Sequence, residues 1–233
     1  MKLKVCGMKY VENIQQVAEL QPDYLGFIFY DKSKRNFDGI IPKLPESIKK
    51  TGVFVNATID VVLEKVSTYN LKAVQLHGDE SVNYINELRC LFERSRELFV
   101  REDLNKRSLD FARDDISIEI IKIFGIKDEF DFNMLKPYLD VVDYFLFDTK
   151  GKERGGNGIT FNWKVLEKYP FSKPFFLSGG IGLAQIEEIK QIRKTNLPIY
   201  ALDVNSQFEI AAGLKSVENI KKFKEIVITN NVK

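Results

Sequence analysis

A closed ring of eight parallel strands, each followed by a helix, is the architecture predicted for this chain of 233 residues. Two observations predict it. Short, almost wholly apolar runs recur along the chain, as expected of strands covered on both faces. Segments with apolar residues at helical spacing lie between them, so strand and helix alternate throughout. An open sheet would be expected to carry a dinucleotide-binding fingerprint after its first strand, and Cys6-Gly7-Met8-Lys9 is not one.

Leu3 to Cys6 is the first strand, stopped by Gly7. Val11 to Leu20 follows as a helix, with Val11, Ile14, Val17 and Ala18 at helical spacing and Pro22 beyond its end. Tyr24 to Tyr30 is the second strand, ending in the charged loop Asp31 to Arg35. A helix within Ile40 to Lys50 can start only late, because Pro42 and Pro45 interrupt the segment. Gly52 to Asn56 is strand three, Ile59 to Tyr69 a helix, and Ala73 to Leu76 strand four; Asp79 or Ser81 can cap the helix after it. Ile118 to Phe124 is strand five, with a helix in Glu129 to Leu139. Asp143 to Phe147 is strand six, ending on Asp148-Thr149. A polar glycine-rich loop, Lys150 to Gly158, leads to a short helix around Trp163. Pro174 to Leu177 is strand seven and runs into Ser178-Gly179-Gly180-Ile181-Gly182. Leu183 to Lys194 is a helix, Ile199 to Asp203 strand eight, and Val217 to Val227 the closing helix.

The sum is a single-domain (β/α)8 barrel, the TIM-barrel architecture, over residues 1–233. The link between strands four and five is about twice as long as most others. Its excess, residues 91–116, mixes Arg94, Arg96, Arg101 and Arg113 with Glu93, Glu97, Asp110 and Asp114. It is expected to be a solvated surface insertion.

Composition narrows the function. A hydrophobic fraction of 44% supports a full core, and a net charge of +2 gives no field for nucleic acid or membrane. Cys6 and Cys90 sit in different contexts and offer no disulfide framework. No stretch approaches the roughly 18 apolar residues of a membrane span. The first residues enter a strand pattern too early for a signal peptide, so a cytoplasmic protein is expected.

In such barrels chemistry gathers where strands end. Pooling those ends gives Cys6, Arg35, Asn56, Gln75, His77, Asp148, Ser178 with Gly179-Gly180, and Asp203 with Ser206. Asp148 closes a strongly apolar strand, where desolvation would raise its pKa and keep it a proton donor; a helix cap or salt-bridge partner is the plainer alternative. Cys6 is either core filler or, with a nearby cation, a thiolate base. Ser178-Gly179-Gly180 before a helix suits a phosphate, or is simply a tight turn. Arg35 could clamp a carboxylate in two-pronged fashion, though loop arginines are commonly just solvated. His77 is the only histidine, and without a second ligand cluster no metal site is expected.

Several motifs occur together and in order: Lys4-Val5-Cys6-Gly7-Met8, Leu25-Gly26-Phe27-Ile28-Phe29 with Ser33-Lys34-Arg35, and Gly52-Val53-Phe54-Val55-Asn56. After them come Val74-Gln75-Leu76-His77-Gly78-Asp79-Glu80, Phe147-Asp148-Thr149, Gly155-Gly156-Asn157-Gly158, Leu177-Ser178-Gly179-Gly180-Ile181 and Asp203-Val204-Asn205-Ser206. With these the chain resembles the phosphoribosylanthranilate isomerases of tryptophan biosynthesis over nearly its whole length. The resemblance implies an Amadori rearrangement of N-(5-phosphoribosyl)anthranilate without metal or organic cofactor. It implies Asp148 as general acid and Cys6 as general base. Arg35 would hold the anthranilate carboxylate, with Gln75 and His77 beside it, and Asp203 would hold the sugar or order the loop. Gly179, Gly180, Asn205 and Ser206 would grip the phosphate, and Gly155, Gly156 and Gly158 would hinge a lid. A monomer or homodimer is expected, with a small phosphoribosyl substrate as its partner.

Gln207 departs from the family, which has glycine there, and Ala212-Gly213-Leu214-Lys215-Ser216 replaces a proline-glycine-x-lysine-aspartate pattern. If Gln207 needs positive φ, strain in the loop would weaken phosphate binding. Two other readings stand beside the isomerase: another phosphosugar-handling barrel, and a non-catalytic binder with a drifted phosphate loop. A lysine-centred site is disfavoured because Lys4 and Lys122 lie inside strands.

Overall fold

The computed structural model describes residues 1–104, 117–127, 129–149 and 162–229. Eight parallel strands close into a barrel in sequence order: β1 (Lys2–Val5), β2 (Tyr24–Phe29), β3 (Lys49–Phe54), β4 (Ala73–Leu76), β5 (Glu119–Ile126), β6 (Tyr144–Thr149), β7 (Phe175–Leu177) and β8 (Ile199–Val204). β8 returns to β1 with Leu3 opposite Leu202 and Lys4 opposite Asp203. Successive side chains along a strand point to opposite faces, so two cores form. Outward residues such as Val5, Phe27, Phe54, Val74, Phe147 and Leu202 join one large cluster with Ile14 and Val17 of α1 (Val11–Glu19), Val62 of α2 (Ile59–Tyr69) and Ile85 and Leu88 of α3 (Val82–Leu104). The same cluster takes in Ile189 of α4 (Ile186–Ile192) and Phe223 of α5 (Val217–Lys224). Inward residues Tyr24, Ala73, Ile121, Ile123, Leu146, Phe176 and Ala201 form a second, smaller cluster that fills the barrel.

Most elements lie within a residue or two of expectation; α2 and β4 match theirs. Ser81 is the cap before α3, its Oγ accepting from Tyr84 N at 3.2 Å. Four expectations need correction. Residues 40–48 form no helix: Ile40 is 78% exposed, and Phe37 covers the barrel flank instead, packed on Phe27, Phe29 and Tyr69. The helix expected after β5 is a 3₁₀ turn, Phe132–Tyr138, with Pro137 inside it. The helix after β7 is likewise 3₁₀ over Leu183–Gln185 before α4 begins. After β8 the chain makes an unforeseen antiparallel hairpin, β9 (Glu209–Ala211) and β10 (Leu214–Lys215), turned at Gly213 with φ +83°. Within the charged segment, residues 91–104 continue α3, and 105–116 lie outside the described residues. Among the described residues no helix is long and apolar enough to cross a membrane.

Candidate active site

Strand parity builds the site. On two strands the inward positions that are apolar in mid-barrel become polar further on: Ala73 then Gln75 and His77 from β4, and Leu146 then Asp148 on β6; from β3, Val53 and Val55 keep that wall apolar. A cavity of about 420 Å³ opens at these strand ends. Cys6, Arg35, Gln75, His77, Asp148, Gly179, Gly180, Asp203, Asn205 and Ser206 all line it, so the barrel brings the expected residues together. Asn56 is the exception. It sits at φ +51° and its Oδ1 accepts from Asp79 N at 2.6 Å, which fixes the loop after β4. Gly155, Gly156 and Gly158 lie outside the described residues.

Burial pushes the Asp148 carboxyl up to about 7, and the Asp203 charge adds to the rise; Thr149 N, donating to Oδ1 at 2.8 Å, and Lys4 oppose it. The group is therefore poised to hold or release a proton near neutrality. His77 Nε2 stands 4.0 Å from Asp148 Oδ2. Gly179 abuts this carboxylate from β7: a Cβ there would lie 2.3 Å from Thr149 Oγ1 and 3.0 Å from Asp148 Oδ1. Gly179 and Gly180 both have positive φ, a conformation that favours glycine, so the turn is built as the sequence suggested.

Across the cavity Cys6 is buried, and burial pushes its thiol up against the pull of the Lys4 ammonium. Gly26 makes room for it, since a Cβ there would lie 2.8 Å from Sγ. Lys4 Nζ donates to Asp203 Oδ1 at 2.9 Å, an ion pair with almost no solvent exposure. Burial alone would lower the Lys4 pKa, but the Asp203 and Cys6 charges hold it above its ordinary value.

Sequence reasoning missed Glu209 and Lys215. Arg35 Nε donates to Glu209 Oε1 at 2.8 Å, and its NH2 group donates to Oε2 at 2.7 Å. Lys215 Nζ donates to Glu209 Oε1 at 2.8 Å and to Asn205 Oδ1 at 2.6 Å. Burial would raise Glu209, yet Arg35 and Lys215 hold its carboxyl at about 2. The loop arginine is thus a braced guanidinium at the cavity edge. The signal for the brace was Gly213, whose turn folds β10 back so that Lys215 meets Glu209.

Gln207 also lines the cavity, but it lies in a 3₁₀ turn, Ser206–Phe208, and is not among the residues with positive φ. The strain expected of it is absent. Its side chain packs instead where a Cβ on Gly182 would be, 3.0 Å away. Among the described residues no three His, Cys, Asp or Glu side chains group as a metal site.

The sequence model of the family described as N-(5'phosphoribosyl)anthranilate (PRA) isomerase matches residues 3–117 and 112–226. An N-(5'-phosphoribosyl)anthranilate isomerase from Parabacteroides distasonis is 38% identical, covering 98% of this chain and 94% of its own. The crystal structure of phosphoribosyl anthranilate isomerase from Thermotoga maritima superposes with a TM-score of 0.71 at 28% identity, over 97% of this chain and 98% of that one. A phosphoribosyl anthranilate isomerase solved in complex with reduced 1-(o-carboxyphenylamino)-1-deoxyribulose 5-phosphate superposes at 0.70 with 26% identity, over 97% and 98% of the two chains. On sequence and on fold, the chain belongs to the N-(5'-phosphoribosyl)anthranilate isomerase family.

Proposed function

We propose that the chain catalyses the Amadori rearrangement of N-(5-phosphoribosyl)anthranilate to 1-(2-carboxyphenylamino)-1-deoxyribulose 5-phosphate in tryptophan biosynthesis. Family membership supports the activity, and one observation carries the mechanism. A carboxyl held near neutrality and a buried thiol open on one cavity large enough for a phosphosugar. The reaction needs one group that gives a proton and another that takes one, with environments that keep their roles apart.

Asp148 is the general acid in this reading. It protonates the furanose ring oxygen, the C1′–O bond breaks, and the anthranilate nitrogen supplies electrons to form the Schiff base. Cys6 is the general base that removes the C2′ proton, and the resulting enolamine tautomerises to the ketone. Arg35, braced by Glu209, presents donors to the anthranilate carboxylate, with Gln75 and His77 on that wall. Asp203 lies at the sugar. The backbone around Gly179, Gly180, Asn205 and Ser206 takes the phosphate, whose binding energy orients the reacting carbons. A cytoplasmic monomer or homodimer completes the proposal.

The test is one cuvette. Purified protein is expected to quench the fluorescence of the anthranilate substrate with multiple turnovers; no turnover above the uncatalysed rate would overturn the reading.

A further inference from the structure

Beneath the thiol lies a charge pair whose ammonium, Lys4, the mechanism above leaves idle. Lys4 is wholly buried in the barrel interior, where an apolar side chain of the same size would cost less to bury. Its strand position explains whom it faces. Lys4 and Cys6 are two residues apart on one extended stretch and so share the inward face, and the β1–β8 register sets Asp203 beside Lys4. The ammonium is fixed by Asp203 at 2.9 Å on the same inward face as the Cys6 sulfur, and the two charges act on each other.

We propose that Lys4, anchored by Asp203, is the positioning cation of the general base, stabilising the Cys6 thiolate that accepts the C2′ proton. This inference rests on the isomerase reading. In the open cavity a fraction of the thiol gives its proton to solvent against the rise that burial imposes, and the Lys4 ammonium offsets the charge of that thiolate. In the reaction the C2′–H bond breaks and an S–H bond forms. The released electron pair becomes the C1′–C2′ double bond of the enolamine and neutralises the iminium nitrogen. Lys4 keeps its proton throughout.

The charged groups facing Cys6 are Lys4 from its own strand, Asp203 from β8 and Lys215 from β10, with Asp148 of β6 acting on Asp203 and Lys4. The two ammoniums favour the thiolate and Asp203 disfavours it. Removing Lys4 therefore moves the thiol's titration up, and removing Asp203 alone does not reproduce that direction.

The experiment follows alkylation of Cys6 by iodoacetamide against pH, without substrate, in a Cys90→Ser background that removes the exposed thiol. In Lys4→Met the alkylation midpoint is expected to rise by about one pH unit or more. Should Lys4→Met leave Asp203 stranded and fail to fold, Lys4→Met with Asp203→Asn removes both charges. Its midpoint is also expected to rise, by less, because the pull of Lys4 outweighs the push of Asp203. A midpoint within about 0.3 unit of the parent in either folded variant overturns the proposal. The readout needs no turnover, so it stands apart from the function. A parent protein inactive on the anthranilate substrate would sink the isomerase reading and leave the alkylation result intact.

Discussion

Replacing Asp148 by asparagine separates what this carboxyl does for the reaction from what it costs the fold. Its pKa stands at about 7 in the folded barrel against an ordinary 3.8, a rise of about 3 units, or about 4 kcal/mol. The folded protein holds this proton more tightly than the unfolded chain. Stability is therefore complete below pH 3.8 and declines as pH climbs through about 7. Roughly one of those units is spent below pH 5, leaving about 2 units, or about 3 kcal/mol, between pH 5 and 8. An asparagine side chain cannot ionise, so the variant does not have this decline. Urea unfolding of wild type and Asp148→Asn at pH 5 and pH 8 measures it. The variant's advantage is expected to grow by about 3 kcal/mol across that range, while kcat falls by about 10²- to 10⁴-fold for want of a proton donor. Stability curves for the two proteins that stay parallel between pH 5 and 8 would refute the buried-acid argument. Nearly intact turnover would refute the acid assignment separately.

Three further outcomes follow from the cavity's walls. Cys6→Ser is expected to lower kcat by about 10²-fold or more with little change in KM, since an alcohol is a far weaker base than a thiolate at neutral pH. Glu209→Gln unbraces Arg35: KM for the anthranilate substrate should rise about tenfold, while a phosphoribosyl aniline lacking the carboxylate should bind equally well to both proteins. The same change forfeits the stability that comes with a carboxyl held at about 2, roughly 3 kcal/mol at pH 7, which the wild type loses only as pH falls from 4.5 toward 2. Gln207→Gly is expected to lower KM by removing a side chain from the cavity wall, and to cost about 0.5–1 kcal/mol of stability through added backbone freedom; an unchanged or higher KM counts against crowding at that wall.

The strands were readable because strands buried on both faces carry nearly unbroken apolar runs, as in Ala73–Leu76 and Tyr144–Phe147. Their C-terminal ends were readable for the same reason: Asp148 and His77 are where each run stops being apolar. Two kinds of feature were not. Local geometry misled where proline cut a helical pattern: at Pro137 apolar spacing says nothing of a missing backbone donor, and in residues 40–48 the two prolines delay a helix on paper but in the structure leave none. Partnership across the chain was hidden altogether. Arg35 and Glu209 are 174 positions apart, and Lys4 and Asp203 are 199 apart. Yet the parity of Lys4 was in the sequence: if Cys6 faces inward, so does the residue two before it. Lys4 was set aside for lying within a strand, when in a closed barrel that is what puts it under the site.

Among the described residues Lys4 is one of three lysines buried with a carboxylate, and the three share a logic. Lys122 on β5 donates to Glu80 Oε2 at 3.0 Å and to Gly78 O at 2.7 Å; Glu80 in turn accepts from Asn56 N at 2.9 Å. One pair thereby ties β5 to the loops after β3 and β4, the second of which carries His77. Lys215 and Glu209 tie the hairpin after β8 to Arg35 and hence to the loop after β2. Lys4 and Asp203 tie β1 to β8 directly under Cys6. Buried pairs of this kind seldom stabilise a protein beyond what apolar side chains of equal volume would, because each ion must leave water. Their positions do not fit a general stabilising role either, since each ties a strand or loop that carries a cavity residue to its neighbour, while the mid-barrel core of Ile121, Leu146 and Phe176 is apolar. What an ammonium–carboxylate pair adds is direction: it fixes separate loops at set distances and leaves a fixed electric field where they meet. In this barrel burial, helped by the Asp203 charge, holds a carboxyl near neutrality on one wall, and the Lys4–Asp203 pair sets a cation on the inward face that carries the thiol. An apolar replacement of all three pairs would therefore be expected to keep the barrel and lose the chemistry.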